Sequence, residues 1–154
     1  MKELVNKLIK LNKTISTMES CTGGFLANSI TNIEGSSKVF KFGAVTYSNE
    51  YKIKMGVDSN IIDKYTVYSI ETAIEMSKAI SIYTNSNYGV GITGKLNKQD
   101  NNNPFGSNNI VYVSIYDKEK DHAYTMTIED LFGNRIDMKK QIVDKILILL
   151  KNIV

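Results

Sequence analysis

Leu4, Val5, Leu8, Ile9 and Leu11 recur at helical spacing, so the chain opens on an amphipathic helix with these residues on its inner face. Residues 14–18 form a short run that reads as a buried strand. Helical spacing returns at Phe25, Leu26, Ile30 and Ile33 until Glu34-Gly35-Ser36-Ser37 breaks it, and a β-rich run interrupted by Gly43 then covers residues 40–47. Residues 49–56 predict one or two helical turns closed by a glycine. Ser69 predicts the N-cap of a longer helix, with Glu71 in its first turn and Ile70, Ala73, Ile74, Ile80 and Tyr83 facing inward. A further strand covers residues 88–93, and a polar, asparagine-rich loop covers 95–109. Residues 110–116 and 123–128 predict a hairpin around 117–121, and residues 136–153 a strongly apolar C-terminal helix. Alternating helices and strands with one hairpin predict a three-layer α/β/α sandwich with a mixed, mostly parallel sheet, in a single domain spanning residues 1–154.

Composition narrows the chemistry. A chain of 154 residues buries a sizeable core without disulfides or metal staples. The net charge of +3 comes from scattered lysines, with no arginine stripe interleaved with aromatics, so nucleic acid is not an expected partner. Cys21 is the single cysteine and His122 the single histidine; neither an intrachain disulfide nor a thiolate zinc site is expected, and a reducing cytoplasm fits. The N-terminus lacks a long apolar segment and no stretch approaches the ~20 apolar residues of a membrane span, so the chain is expected to be neither secreted nor membrane-integral.

The most informative segment is Thr17-Met18-Glu19-Ser20-Cys21-Thr22-Gly23-Gly24, where a strand hands over to a helix. Such junctions carry unpaired N–H groups that favour negative charge, and the Ser20 hydroxyl is expected to point at them. Gly23 and Gly24 admit close approach to the backbone. A helix N-cap followed by turn residues accounts for the same pattern. Two glycine motifs further along mislead. Gly89-Val90-Gly91-Ile92-Thr93-Gly94 matches a dinucleotide fingerprint, and Gly89 to Lys95 matches a phosphate-binding loop. Both patterns must open a helix, whereas here polar residues with no apolar period follow, and Leu96 stands where a Mg²⁺-binding hydroxyl is required.

With His122 in a charged turn, the usual base of a serine or cysteine hydrolase is absent. A lysine can replace it where burial or neighbouring positive charge favours the neutral amine. Lys52 lies just past the end of a strand, with Tyr47 close by; an exposed, solvated lysine is the alternative. Cys21 is a rival nucleophile or simply a small buried residue.

Glu19-Ser20-Cys21-Thr22-Gly23-Gly24, Gly35-Ser36-Ser37, Thr46-Tyr47-Ser48-Asn49-Glu50 with Lys52, Gly56-Val57 and Ser69-Ile70-Glu71 occur in one order along nearly the whole chain. Together they resemble the CinA C-terminal domain family, whose stand-alone members are PncC-type nicotinamide-nucleotide amidases. The resemblance implies an α/β/α sandwich and hydrolysis of the carboxamide of nicotinamide mononucleotide to nicotinic acid mononucleotide and ammonia. It also implies no metal, no cofactor and a homodimer. Larger relatives carry an additional N-terminal domain, for which this chain leaves no room. On this resemblance Ser20 is the nucleophile, Lys52 its general base and Tyr47 a neighbour of the pair. Backbone N–H groups of Cys21, Thr22, Gly23 and Gly24 are candidates for the oxyanion hole, by their position at a helix start. Thr93-Gly94 matches an element near the substrate. Arg135, in Gly133-Asn134-Arg135, resembles the family's Gly-Asp-Arg and is a candidate for gripping the 5′-phosphate, a first-turn helix arginine being the alternative.

The chain departs from the family after Gly94. Typical members continue with Ile-Ala-Gly-Pro-Gly-Gly, whereas Lys95-Leu96-Asn97-Lys98-Gln99-Asp100 stands here, and only Pro104-Phe105-Gly106-Ser107 resembles the rest of that element. Residues with a Cβ do not share glycine's freedom, so the loop must take another path. Lys95 and Lys98 are candidate phosphate contacts in place of backbone donors, or solvated loop lysines. A member that binds a nucleotide or protein without turnover is the alternative function. A dinucleotide-dependent oxidoreductase rests only on the 89–94 glycines.

Overall fold

The computed structural model describes residues 1–96 and 106–154; the loop substitutions at 97–105, Lys98 among them, lie outside the described residues. Its helices are α1 (Lys2–Leu11), α2 (Phe25–Thr31), α3 (Asn49–Lys54), α4 (Ser59–Tyr65), α5 (Ile70–Thr84) and α6 (Arg135–Ile153). Its strands are β1 (Ile15–Glu19), β2 (Phe40–Val45), β3 (Tyr88–Lys95), β4 (Ile110–Asp117) and β5 (His122–Ile128). They form one sheet in the order β2-β1-β3-β4-β5. Strands β2, β1 and β3 are parallel, β4 is antiparallel to β3, and β5 to β4, so β4 alone runs against the other four. Helices α1, α2 and α6 cover one face and α4 and α5 the other, which is the expected three-layer sandwich. Among the described residues no helix is long and apolar enough to cross a membrane.

Burial follows from strand periodicity. Every residue of β1 and β3 is buried, as expected for strands covered on both faces. On β3, Val90 and Ile92 join Leu4, Leu8, Ile142, Ile146 and Leu150 in the larger core, on the side of α1 and α6. The alternate positions, Gly89 and Gly91, face α5. Met18, Val57, Ile62, Met76 and Ile80 belong to the smaller core on that side.

The two glycines explain the misleading motif. A Cβ on Gly91 would stand 2.3 Å from the Ala73 carbonyl oxygen, and one on Gly89 would stand 2.0 Å from that of Ser77. The helix backbone lies against the strand backbone, and only hydrogen fits between them. That closeness also corrects the expected inner face of α5. Thr72, Ala73, Met76, Ser77, Ile80 and Ser81 are buried, Ile70 and Ile74 are half-buried, and Tyr83 is 66% exposed against the ring of Phe42. Small hydroxyl residues suit the narrow gap because each finds a partner: Ser77 Oγ lies 2.8 Å from Ser114 Oγ, and Ser81 Oγ donates to the Ser86 carbonyl at 2.7 Å. Ser69 caps α5 through its side chain, which accepts from the Thr72 N–H.

Two other expectations change. Leu11 is exposed at the end of α1, past the last turn that meets the core. Helix α4 lies in a stretch with no predicted element; its one buried side chain, Ile62, is too little to create a visible period, and Asp58 caps it by accepting from the Asn60 N–H. Gly91→Ala should lower unfolding free energy by about 2–3 kcal/mol in urea titrations, because it forces α5 away from β3. A neutral result would show that the interface can relax.

Candidate active site

Parallel strands β2, β1 and β3 end at one edge of the sheet, and their exits lie side by side. The Ser20 N–H donates to the Ile92 carbonyl of β3 at 3.0 Å, and the Thr46 N–H donates to the Glu19 carbonyl at 2.8 Å. From this edge β1 leads through α2 to β2 on one side, while β3 leads to β4 on the other. The C-terminal edge of the parallel strands is the usual ligand position in open α/β sheets.

Sequence reasoning aimed the Ser20 hydroxyl at the start of α2; the structure gives that place to Glu19. The Glu19 carboxylate accepts from the N–H groups of Gly24 (3.1 Å), Leu26 (3.1 Å) and Ala27 (2.8 Å), and Gly24 is the residue that precedes the helix. Its side chain is fully buried, so the charge is solvated entirely by the protein. The N-cap explanation of Ser20 therefore falls, and its hydroxyl is available for other contacts. Gly23 and Gly24 turn the chain back at φ +62° and +90°, conformations that side chains resist.

Lys52 comes from α3, whose start is fixed by Ser48 accepting from the Tyr51 N–H and whose end is followed by Gly56 at φ +98°. Of the six residues in this helix only Lys52 is buried, at 1% exposure, which excludes the solvated-lysine alternative. Its Nζ donates to the Thr46 carbonyl at 2.7 Å and lies 3.2 Å from Ser20 Oγ, which is itself nearly buried. Nucleophile and base must approach this closely for direct proton transfer. Cys21 is buried beside them, and loss of solvation pushes its thiol up to about 12, with the Glu19 charge adding to the effect and Lys52 and Lys139 opposing it. Such a thiol is a poor nucleophile at neutral pH.

The four N–H groups proposed for an oxyanion hole divide into two pairs. Gly23 donates to the Ser20 carbonyl and Gly24 to Glu19, whereas the N–H groups of Cys21 and Thr22 donate to no other residue among the described residues. The Thr22 hydroxyl, also buried, has no partner among them either. Thr93 sits one residue past the Ile92 carbonyl that receives Ser20, but its hydroxyl is turned to the Val67 carbonyl at 2.8 Å. Gly94 is required by β4, since a Cβ there would lie 2.6 Å from the Ile110 carbonyl oxygen.

Arg135 is the first residue of α6 because Asn134 caps the helix, accepting from the Ile136 and Asp137 N–H groups, each at 3.0 Å; an asparagine does here what an aspartate does equally well. The guanidinium donates to the Leu96 carbonyl at 2.6 Å and to the Tyr47 hydroxyl at 3.3 Å. It thus ties the exit of β3 to the exposed ring of Tyr47. Lys95 is turned inward, donating to the Gly106 carbonyl at 3.1 Å with its ammonium over the Tyr68 ring. Sequence reasoning missed Lys139, whose Nζ would lie 3.3 Å from a Cβ on Gly23; its position four residues after Arg135 was the available signal. It also missed Glu19, which the lack of a capping side chain at Gly24 could have revealed. His122 is exposed at the start of β5, with its ring edge-on to Tyr124, far down the sheet from this cluster. Among the described residues no group of three or more His, Cys, Asp or Glu side chains could hold a metal ion.

Glu19→Ala would leave helix N–H groups buried without acceptors and should cost about 3 kcal/mol or more in urea unfolding, with Glu19→Gln losing less because one acceptor oxygen stays. Equal stability of all three proteins would contradict the assigned cap.

Comparison with known proteins agrees with the fold. The chain is 42% identical over 114 residues to a CinA-like protein of Kosmotoga olearia, a match covering 73% of this chain and 27% of that protein. The chain spans less than a third of the length of the curated relatives it matches. The crystal structure of the competence/damage inducible protein CihA from Agrobacterium tumefaciens superposes with a TM-score of 0.82 at 27% identity, covering 97% of this chain and 94% of that one. A competence-damaged protein (CinA) superfamily structure from Klebsiella pneumoniae shares the fold, with a TM-score of 0.88 at 20% identity over 97% and 91% of the two chains. The family profile described as the CinA C-terminal domain matches residues 1–154, and the chain belongs to that family.

Proposed function

We propose that the chain is an amidohydrolase that converts nicotinamide mononucleotide to nicotinic acid mononucleotide and ammonia through Ser20 and Lys52. The observation that carries this reading is the buried pair of Ser20 Oγ and Lys52 Nζ, 3.2 Å apart at the C-terminal edge of the parallel strands.

In this reaction Lys52, in its uncharged form, takes the Ser20 proton as Oγ attacks the carboxamide carbon. Burial of an amine favours the uncharged form over the ammonium. The Thr46 carbonyl accepts from the Nζ and holds it against the Ser20 hydroxyl. Negative charge collects on the former carbonyl oxygen, where the Thr22 N–H, which donates to no other residue among the described residues, and the Cys21 N–H, which meets only its own thiol, serve as donors. Lys52 then returns the proton to the departing nitrogen, the C–N bond breaks, and ammonia leaves an ester on Ser20. A water molecule, deprotonated by the same amine, attacks the ester carbon. Ser20 recovers its proton and the carboxylate product departs. Tyr47, steadied by Arg135, forms a wall at the mouth of the site.

Purified protein given nicotinamide mononucleotide should release ammonia, and Ser20→Ala or Lys52→Ala should each reduce kcat at least about 10³-fold. Nucleotide binding without ammonia from the unaltered protein would replace the enzyme with a binding module. Cys21 provides an independent check. At pH 8 iodoacetamide should label the native thiol at least about a hundredfold more slowly than the guanidinium-unfolded chain, because little thiolate exists below a pKa of about 12. Fast labelling with parallel loss of ammonia release would shift the nucleophile to Cys21.

A further inference from the structure

Lys139 follows Arg135 by one helical turn on α6, so both cations project from the same side of the helix. Their circumstances differ. The Arg135 guanidinium already holds the Leu96 carbonyl and the Tyr47 hydroxyl. Lys139 is half-buried, and among the described residues its ammonium meets no carboxylate, carbonyl or hydroxyl. It rests against the Ser20 turn, 3.3 Å from where a Gly23 Cβ would stand, and its charge acts on the Cys21 thiol alongside that of Lys52. The same turn carries the buried Thr22 hydroxyl, which has no partner among the described residues.

A partly desolvated ammonium with three unused donors, held beside the turn that follows Ser20, is suited to an anion. We propose that Lys139 is the principal ligand of the phosphate of a mononucleotide substrate, while Arg135 positions Tyr47 and the exit of β3. This rests on the amidase reading for the identity of the nucleotide. It also gives Gly23 a second purpose. A side chain there would be strained at φ +62° and would press on the ammonium from the side of the turn.

Calorimetry on Ser20→Ala, which cannot turn over substrate, tests the inference with nicotinamide mononucleotide and its phosphate-free riboside as probes. Adding Lys139→Met should weaken mononucleotide binding about ten- to a hundredfold, the usual worth of a charged hydrogen bond, and leave riboside binding unchanged. Lys139→Arg should restore most of the loss, and the dependence of affinity on salt should be shallower with Met than with Lys or Arg. Equal weakening of both ligands, or mononucleotide affinity indifferent to the charge at 139, would overturn the inference while leaving the amidase reading intact. Failure of the mononucleotide to bind Ser20→Ala with Lys139 in place would remove both.

Discussion

The buried carboxylate of Glu19 is the constraint on which the site depends. An ionised group with no exposure to water is tolerated only where the protein supplies donors of its own, and three N–H groups at the start of α2 do so. One interaction thereby settles the angle at which α2 leaves β1, the path of the Ser20–Gly24 turn and the freedom of the Ser20 hydroxyl. Were the serine the cap, its oxygen would be spent on structure. Division of labour between adjacent residues, one holding the helix and one released from that task, is the local logic of the Glu-Ser sequence.

On the opposite face of the sheet the demand is steric. Strand β3 gives up side chains at Gly89 and Gly91 so that α5 can lie against its backbone, and α5 answers with Ala73, Ser77 and Ser81. Close packing here holds the middle of the sheet together, because α5 lies across β1, β3, β4 and β5. The hydroxyls in this layer satisfy one another or nearby carbonyls, so polarity in the interior carries no unpaired cost at Ser77 or Ser81.

Much of this was legible from residue order. Periodicity located α1, α2, α5 and α6, turn residues located the hairpin, and the Ser20 junction stood out by its position. What escaped has physical causes. Lys52 is inward because a six-residue helix rests on the sheet edge, a tertiary fact that the charged surroundings of Glu50 and Lys54 conceal. Tyr83 was assigned inward by helical spacing, yet the buried face of α5 runs through Ala73, Met76, Ser77, Ile80 and Ser81, and Tyr83 lies outside it against Phe42. The glycine repeat in β3 has the spacing of a phosphate-binding loop and a wholly different cause. The reach of Lys139 to Gly23 joins residues 116 positions apart, as no local pattern can.

Lys95 and its neighbours carry a consequence for how this protein can vary. The Asn109 N–H donates to the Lys95 carbonyl, and the Lys95 ammonium donates to the Gly106 carbonyl, so the chain is fastened to itself on both sides of residues 97–105. Lengthening a chain segment between fixed anchors costs only about 0.6 kcal/mol per doubling. Such a clasp lets the intervening residues drift in composition and number without disturbing the register of β3 and β4. Sequence change between Leu96 and Gly106 can therefore accumulate without loosening the sheet that carries Ser20.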